Sequence, residues 1–176
     1  MRTILIFSVL IILILISYGC RTVPKKTGCM RGNCTSGIGT YIWDDGSKYT
    51  GGFKNNKMHG QGTFLYPDGT KYIGEFIKGE KHGNGEYTWP SGKRYTGQFI
   101  NNKMQGKGTI NYPDGTKYKG DFKNGLAEGQ GVFSWPNGSE YTGEFKNNKM
   151  HGHGTITYPD GKTLTGEYVN GVLIGQ

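Results

Sequence analysis

Along Tyr141 to Thr163, YTGEFKNNKMHGHGTITYPDGKT, apolar and polar positions alternate in two short runs separated by turn residues. In YTGEF, Tyr141, Gly143 and Phe145 fall on one face and Thr142 and Glu144 on the other. In GHGTITY, Gly152, Gly154, Ile156 and Tyr158 share a face. The pattern predicts two strands per unit, each with an apolar, glycine-interrupted face. Outside the first 20 residues no stretch places apolar residues at i, i+3, i+4 and i+7 for even three turns. Glycine falls every few positions, at about 1 kcal/mol each against a helix. Aromatics and threonine favour strands instead, so the fold class is all-β.

The same phrase recurs down the chain. YPDGTKY stands at Tyr66 and Tyr112, YPDGKTL at Tyr158, WPSGKRY at Trp89 and WPNGSEY at Trp135, so successive copies are 23 residues apart. Rows of that length beginning at Tyr49, Tyr72, Tyr95, Tyr118 and Tyr141 align five full units without insertion. A worn first copy begins at Lys26 and keeps Gly28, Gly37, Gly39, Tyr41, Trp43 and Gly46 in register, while a half unit begins at Leu164. The division is a signal segment over 1–19, a linker and worn start over 20–36, and the repeat sheet over 37–176.

Glycine occupies the third position of each unit (Gly51, Gly74, Gly97, Gly120, Gly143, Gly166) and the fourteenth (Gly39, Gly62, Gly85, Gly108, Gly131, Gly154). Glycine weakens a strand, and its recurrence is explained if an aromatic ring lies flat on the bare backbone. Rings are available in every row, at Tyr49, Phe53, Phe64 and Tyr66 in the first full unit, and stacked rows would form a ladder. Pro67 suits the second position of a type I turn and Asp68 the third, with Gly69 left-handed, so YPDG reverses the chain into the next unit. Within the unit KNNKMHG or its relatives reverse it, with Asn56 or Gly79 as the permissive residue.

These columns resemble the MORN repeat (membrane occupation and recognition nexus), whose pattern is YxGxxxxGxxHGxG. Tyr72, Gly74, Gly79, His82, Gly83 and Gly85 match it, as do Tyr49, Gly51, His59, Gly60 and Gly62, with Asn56 replacing one glycine. The resemblance covers residues 26–176 and implies an elongated single-layer twisted antiparallel sheet of repeated β-hairpins. At about 4.8 Å per strand, some eleven or twelve strands would run roughly 55 Å. Gln105 and Glu128 replace the family histidine in two units, which argues against chemistry needing histidine in every repeat. The tail GVLIGQ reads as a cap or a sticky end.

Every recurring residue class recurs for folding reasons, so the expected function is a non-catalytic scaffold or protein-interaction module. Its interaction surface would include Tyr66, Trp89, Tyr112, Trp135 and Tyr158, facing an unidentified protein or, in a homodimer, a second copy covering the one-layer sheet. Net charge is +8 and becomes +7 without the first 19 residues, which contain only Arg2. The lysines Lys54, Lys57, Lys78, Lys81, Lys103, Lys107, Lys123, Lys146 and Lys149 should line one long edge, the alternative function being direct contact with anionic lipid head groups. The balance to that reading is a merely solvated edge. Family members join such repeats to catalytic domains, but a P-loop, a G-x-S-x-G elbow and an H-E-x-x-H are absent here. No cofactor is expected. His151 and His153 lie two apart without an evident third ligand, so no metal is expected either.

The front end sets the compartment. MRTILIFSVLIILILISYGC has one basic residue, an apolar run from Ile4 to Ile16, then small or polar residues before Cys20. The segment resembles a bacterial lipoprotein signal, with Gly19 and Cys20 in place but Ser17 and Tyr18 where leucine and a small residue are usual. Lipidation of Cys20, an uncleaved anchor with Arg21, Lys25 and Lys26 as basic flank, and an ordinary cleaved signal all fit. If Cys20 carries lipid, Cys29 and Cys34 remain as a pair able to bridge CMRGNC, the other reading being two free thiols. The chain is therefore expected in the bacterial cell envelope, exported and membrane-anchored, away from nucleic acid.

Overall fold

A computed structural model describes residues 27–175. The signal-like segment and Cys20 lie outside the described residues. Among those described are fourteen strands: β1 (Gly28–Gly32), β2 (Gly37–Ile42), β3 (Lys48–Lys54), β4 (Lys57–Leu65), β5 (Lys71–Ile77), β6 (Glu80–Thr88), β7 (Arg94–Ile100), β8 (Lys103–Asn111), β9 (Lys117–Lys123), β10 (Leu126–Ser134), β11 (Glu140–Lys146), β12 (Lys149–Thr157), β13 (Thr163–Val169) and β14 (Val172–Gly175). Each pairs antiparallel with its sequence neighbour, giving one open sheet in the order β1 to β14. The count exceeds eleven or twelve because both incomplete units build hairpins. The worn copy supplies β1 and β2, and GVLIG supplies β14.

Two turn types alternate along the sheet. Within a unit the reversal has two residues, both left-handed: Asn55 and Asn56 at φ 51° and 59°, Lys78 and Gly79 at 55° and 95°, Asn124 and Gly125 at 53° and 89°. That is the type I′ geometry whose twist matches the strands it joins. Between units the YPDG reversal is a type I turn. Gly69 N–H donates to Tyr66 O at 3.1 Å, and Gly69 takes φ 87°. Asp68 Oδ1 then accepts from Thr70 N at 2.8 Å and its Oδ2 from Thr70 Oγ1 at 2.9 Å, so the acid fastens the turn it starts.

The glycine columns meet across the strands. Gly39, Gly51, Gly62, Gly74, Gly85 and Gly97 pair successively, and the line continues through Gly108, Gly120, Gly131, Gly143 and Gly154 to Gly166. The tyrosine of each full unit lies on its own pair: a Cβ on Gly85 would stand 2.5 Å from Tyr72 Cε2 and Oη. Tyr49, Tyr72, Tyr95 and Tyr141 are 0% exposed despite belonging to a single layer. Each hydroxyl of Tyr49, Tyr72, Tyr95, Tyr118 and Tyr141 donates to a carbonyl three residues on, at 2.9–3.1 Å.

Phenylalanines separate the tyrosines. Tyr49 meets Phe53 of its own unit and Phe76 of the next, and the alternation runs on to Tyr168, edge to face throughout. Centroids are 4.8–5.3 Å apart and planes are 74–89° to one another. This ladder is the core, with its quadrupoles in the favoured arrangement. Its ends are covered differently. Cys29 and Cys34 form a disulfide with Cα atoms 5.9 Å apart, and Cys34 Sγ sits over Gly39, where the worn copy has Lys26 in the tyrosine column. At the other end Leu173 Cδ1 covers Gly166, leaving Val172 and Ile174 exposed.

One feature of the strands bends them. In each full unit the register within the hairpin slips by two residues: Gly74 pairs with Gly85 but Glu75 pairs with His82, leaving Gly83 and Asn84 as a bulge. Gly83 takes φ 57° there. In four units a fourth-position side chain, Glu75, Gln98, Asp121 or Glu144, lies against the bulge glycine, and Asp121 Oδ2 accepts from Gln130 N at 3.1 Å.

Candidate functional site

Outside the ladder, on the same face, runs a second row of rings that is only half-buried. Phe64 and Tyr66 lie 4.5 Å apart, Tyr87 and Trp89 4.6 Å, and Phe133 and Trp135 5.0 Å. Tyr66, Trp89, Tyr112 and Trp135 are partly exposed and Tyr158 is 40% exposed. Alternation puts them here: positions sixteen and eighteen of the unit follow the fourteenth-position glycine at steps of two. All five sequence-chosen ring residues therefore share one face.

Across the ladder stands a second wall, made by the tenth position of each unit: Met58, Lys81, Met104, Ala127, Met150 and Leu173. Clefts open between the walls. One of about 880 Å³ is lined by Trp43, Phe53 and Met58 and closed at its end by the Cys29–Cys34 hairpin. Another of about 240 Å³ is lined by Lys81, Tyr87, Trp89, Asn102, Lys103 and Met104.

Two cations interrupt this apolar face. Lys81 stands in the methionine column; its Nζ donates to Tyr66 Oη at 2.8 Å and lies 5.4, 5.9 and 5.1 Å from the rings of Tyr66, Tyr72 and Tyr87. Lys93 stands in a column otherwise holding Ser47, Thr70, Thr116, Ser139 and Lys162, and lies over Trp89 at 4.5 Å and Tyr112 at 5.1 Å. Lys162 instead pairs with Asp160 at 2.9 Å. Lys93 has Ser91 in place of that aspartate, which leaves its ammonium to the rings. Burial lowers the pKa of both lysines and raises those of Tyr66, Tyr87 and Tyr112. Sequence reading placed Lys81 on the loop edge and passed over Lys93. The usable signal was the polarity of a column compared across units.

Of the nine lysines expected along one edge, seven are there. Lys54, Lys57, Lys78, Lys103, Lys123, Lys146 and Lys149 are exposed beside the type I′ turns. Lys81 belongs to the ring face, and Lys107 lies mid-strand, paired with Asp121 at 2.7 Å. The turn positions of this edge hold a single acid, Glu80. The opposite edge is close to balanced, with Lys48, Lys71, Arg94, Lys117 and Lys162 against Asp44, Asp45, Asp68, Asp114, Glu140 and Asp160.

The histidine column has a structural use that its substitutions reveal. Gln105 Oε1 accepts from Asn124 N at 3.0 Å and Glu128 Oε2 from Asn147 N at 3.1 Å, each capping the next unit's turn. Glutamine and glutamate thus supply an acceptor to the next turn, whereas His151 Nδ1 is buried without a hydrogen-bond partner. His151 is half-buried with Nδ1 covered, His153 is exposed, and no cluster of three metal-ligating side chains occurs among the described residues. Neither residue assembles a site.

The family model described as MORN repeat matches six successive stretches, residues 28–48, 49–71, 72–94, 95–117, 118–140 and 141–163. Among solved structures the chain is similar to the SAS-4 (dCPAP) TCP domain of Drosophila melanogaster in complex with a proline-rich motif of Ana2 (dSTIL). Identity there is 12% over 80% of this chain and 78% of that one, with a TM-score of 0.55. It is also similar to the TCP10c domain of Drosophila melanogaster Sas-4, at 12% identity over 81% and 86% of the two chains and a TM-score of 0.50. At such identity the likeness is one of fold. No curated protein sequence matches the chain.

Proposed function

The chain belongs to the MORN repeat family, and from that premise we propose that it is a non-catalytic scaffold whose half-buried ring row holds an extended peptide of a protein partner. The observation that carries this is the row itself: Tyr66, Trp89, Tyr112, Trp135 and Tyr158 on one face, beside clefts that a ladder already complete does not need. A left-handed polyproline segment is the natural occupant, because it is pre-extended and docks on aromatic grooves at low entropic cost. The complex of the Drosophila SAS-4 domain with a proline-rich motif supports the choice of peptide class. Attachment to a membrane through Cys20 belongs to the same proposal and is supported by the apolar run Ile4 to Ile16 followed by Gly19 and Cys20.

The test is titration of the full chain with proline-rich peptides, read by tryptophan fluorescence and calorimetry. Trp89→Ala and Trp135→Ala should weaken binding at least about tenfold, since a buried aromatic anchor is worth a few kcal/mol. Binding that ignores both substitutions rejects the ring row as the site.

A second reading rests on the asymmetry of the two edges. Seven lysines against one acid form an electropositive border suited to anionic head groups, each contributing about 1 kcal/mol near such a surface and less in salt. Flotation with phosphatidylglycerol and phosphatidylcholine vesicles tests it. Salt-sensitive binding to the anionic vesicles that is lost when Lys54, Lys103 and Lys146 become Gln supports the edge, and binding indifferent to those changes rejects it.

A further inference from the structure

The repeats provide their own control. Five units place an uncharged residue where the second full unit has Lys81, so folding at that position does not need a cation. Methionine fits there at Met58, Met104 and Met150. Among the described residues no ion pair satisfies either Lys81 or Lys93. Both cations are instead held against rings, on the two sides of the Tyr87–Trp89 pair. The one stretch of the ring row that carries uncompensated charge is thus the stretch beside the 240 Å³ cleft, which Lys103 also borders. A cation partly withdrawn from water and without an ion-pair partner attracts an arriving anion more strongly, because less water must be displaced when the pair forms.

Resting on the peptide-binding reading above, we propose that the cleft between Lys81 and Trp89 receives the carboxylate of an aspartate or glutamate, so that the partner is an acidic proline-rich segment. Tyr66 orients the ammonium through its 2.8 Å hydrogen bond, and Asn102 and Lys103 stand at the rim. Lys93 extends the positive stretch toward Tyr112, so a second acidic residue is favoured further along the peptide. The flanking prolines lie on Tyr87 and Trp89. A free anion would leave those rings uncovered. A flat lipid surface would meet the exposed lysines of the turn edge instead of a half-buried Lys81.

The experiment compares matched proline-rich peptides, Asp or Glu against Asn or Gln at one position, on the full wild-type chain and on Lys81→Met, Lys93→Thr and the double variant. These substitutions restore residues that their columns already hold, so the sheet is kept. The wild type should prefer the acidic peptide by about tenfold, the usual worth of a charge-assisted hydrogen bond in a partly dry site. The double variant should bind both peptides as the wild type binds the neutral one. Equal affinity of the wild type for the pair, or a preference that survives both substitutions, overturns the assignment while leaving the ring row intact. Failure of both peptides to bind overturns the peptide-binding reading itself. Loss of phosphatidylglycerol vesicle binding in Lys81→Met, with peptide preference unchanged, would make the anion a lipid and likewise overturn the acidic peptide.

Discussion

The buried ladder and the open ring row run side by side on the same strands, and they obey different rules. Through the five full units the ladder keeps tyrosine at the first position, glycine at the third and fourteenth and phenylalanine at the fifth. The second wall and ring row admit Met, Lys and Ala at one position and Phe, Tyr and Ile at another. The reason is geometric. A tyrosine trapped between a glycine pair and two phenylalanine edges has no alternative shape to exchange for, whereas a ring with one open side does. Constancy down a column therefore marks folding in this chain, and departures such as Lys81 and Lys93 mark where other demands act.

High pH should give the largest effect on the ladder. Burial raises Tyr49, Tyr95 and Tyr141 from 10.0 to about 12, and raises Tyr72 and Tyr118 further. The unfolded chain loses these protons from pH 10.0 upward while the folded chain keeps them, so stability is full below that value and falls as pH rises toward 12. Phenolate absorbance should rise together with loss of β circular dichroism, as one transition for the ladder tyrosines. Phenols ionising at their ordinary pH while the sheet persists would show that the ladder is not closed to water.

Next in size is a methyl group placed under a ring. A Cβ on Gly131 would stand 2.6 Å from Tyr118 Cε2, so Gly131→Ala must displace a fully packed tyrosine and is expected to cost about 3 kcal/mol. Trp135→Ala, in the open row of the same unit, should cost less than about 1.5 kcal/mol, because the ring is already partly exposed. Urea unfolding of the two variants measures the contrast directly. Similar losses would remove the distinction between the rows.

How much of this was legible depended on where the causes lay. Pro67, Asp68 and Gly69 announced their turn because the determinants are adjacent, and the glycine columns announced their rings because a strand has no other use for so many glycines. The two-residue bulge at Gly83 was hidden: HGxG reads as continuous alternation, and only pairing with Glu75 exposes the slip. The capping role of Gln105 was hidden for the same reason, its partner Asn124 lying 19 residues on in the next unit. Lys81 resembles one more loop lysine because KNNKMHG and KGEKHGN have the composition of loops. Counting positions from the tyrosine puts it in the methionine column.

The histidine column offers a smaller test on the ladder's side of the comparison. Gln105→Ala removes the acceptor of Asn124 N and should cost about 1 kcal/mol. Gln105→Glu should restore most of it, since Glu128 makes the equivalent bond to Asn147 N at 3.1 Å. If glutamate fails to rescue, the role of Gln105 is something other than capping the next turn.

The smallest change should also be the most informative. Lys81→Met replaces a desolvated cation by the residue that three sister units use, and the ring contacts to Tyr66, Tyr72 and Tyr87 that it loses offset part of the charge burial it relieves. The net effect on urea unfolding should be stabilising by less than about 1 kcal/mol. A site kept for folding would lose stability when altered toward its own consensus, whereas a site kept for a ligand gains it. Clear destabilisation by Lys81→Met would therefore move Lys81 from the ring row's account to the ladder's, as a cation that the fold requires.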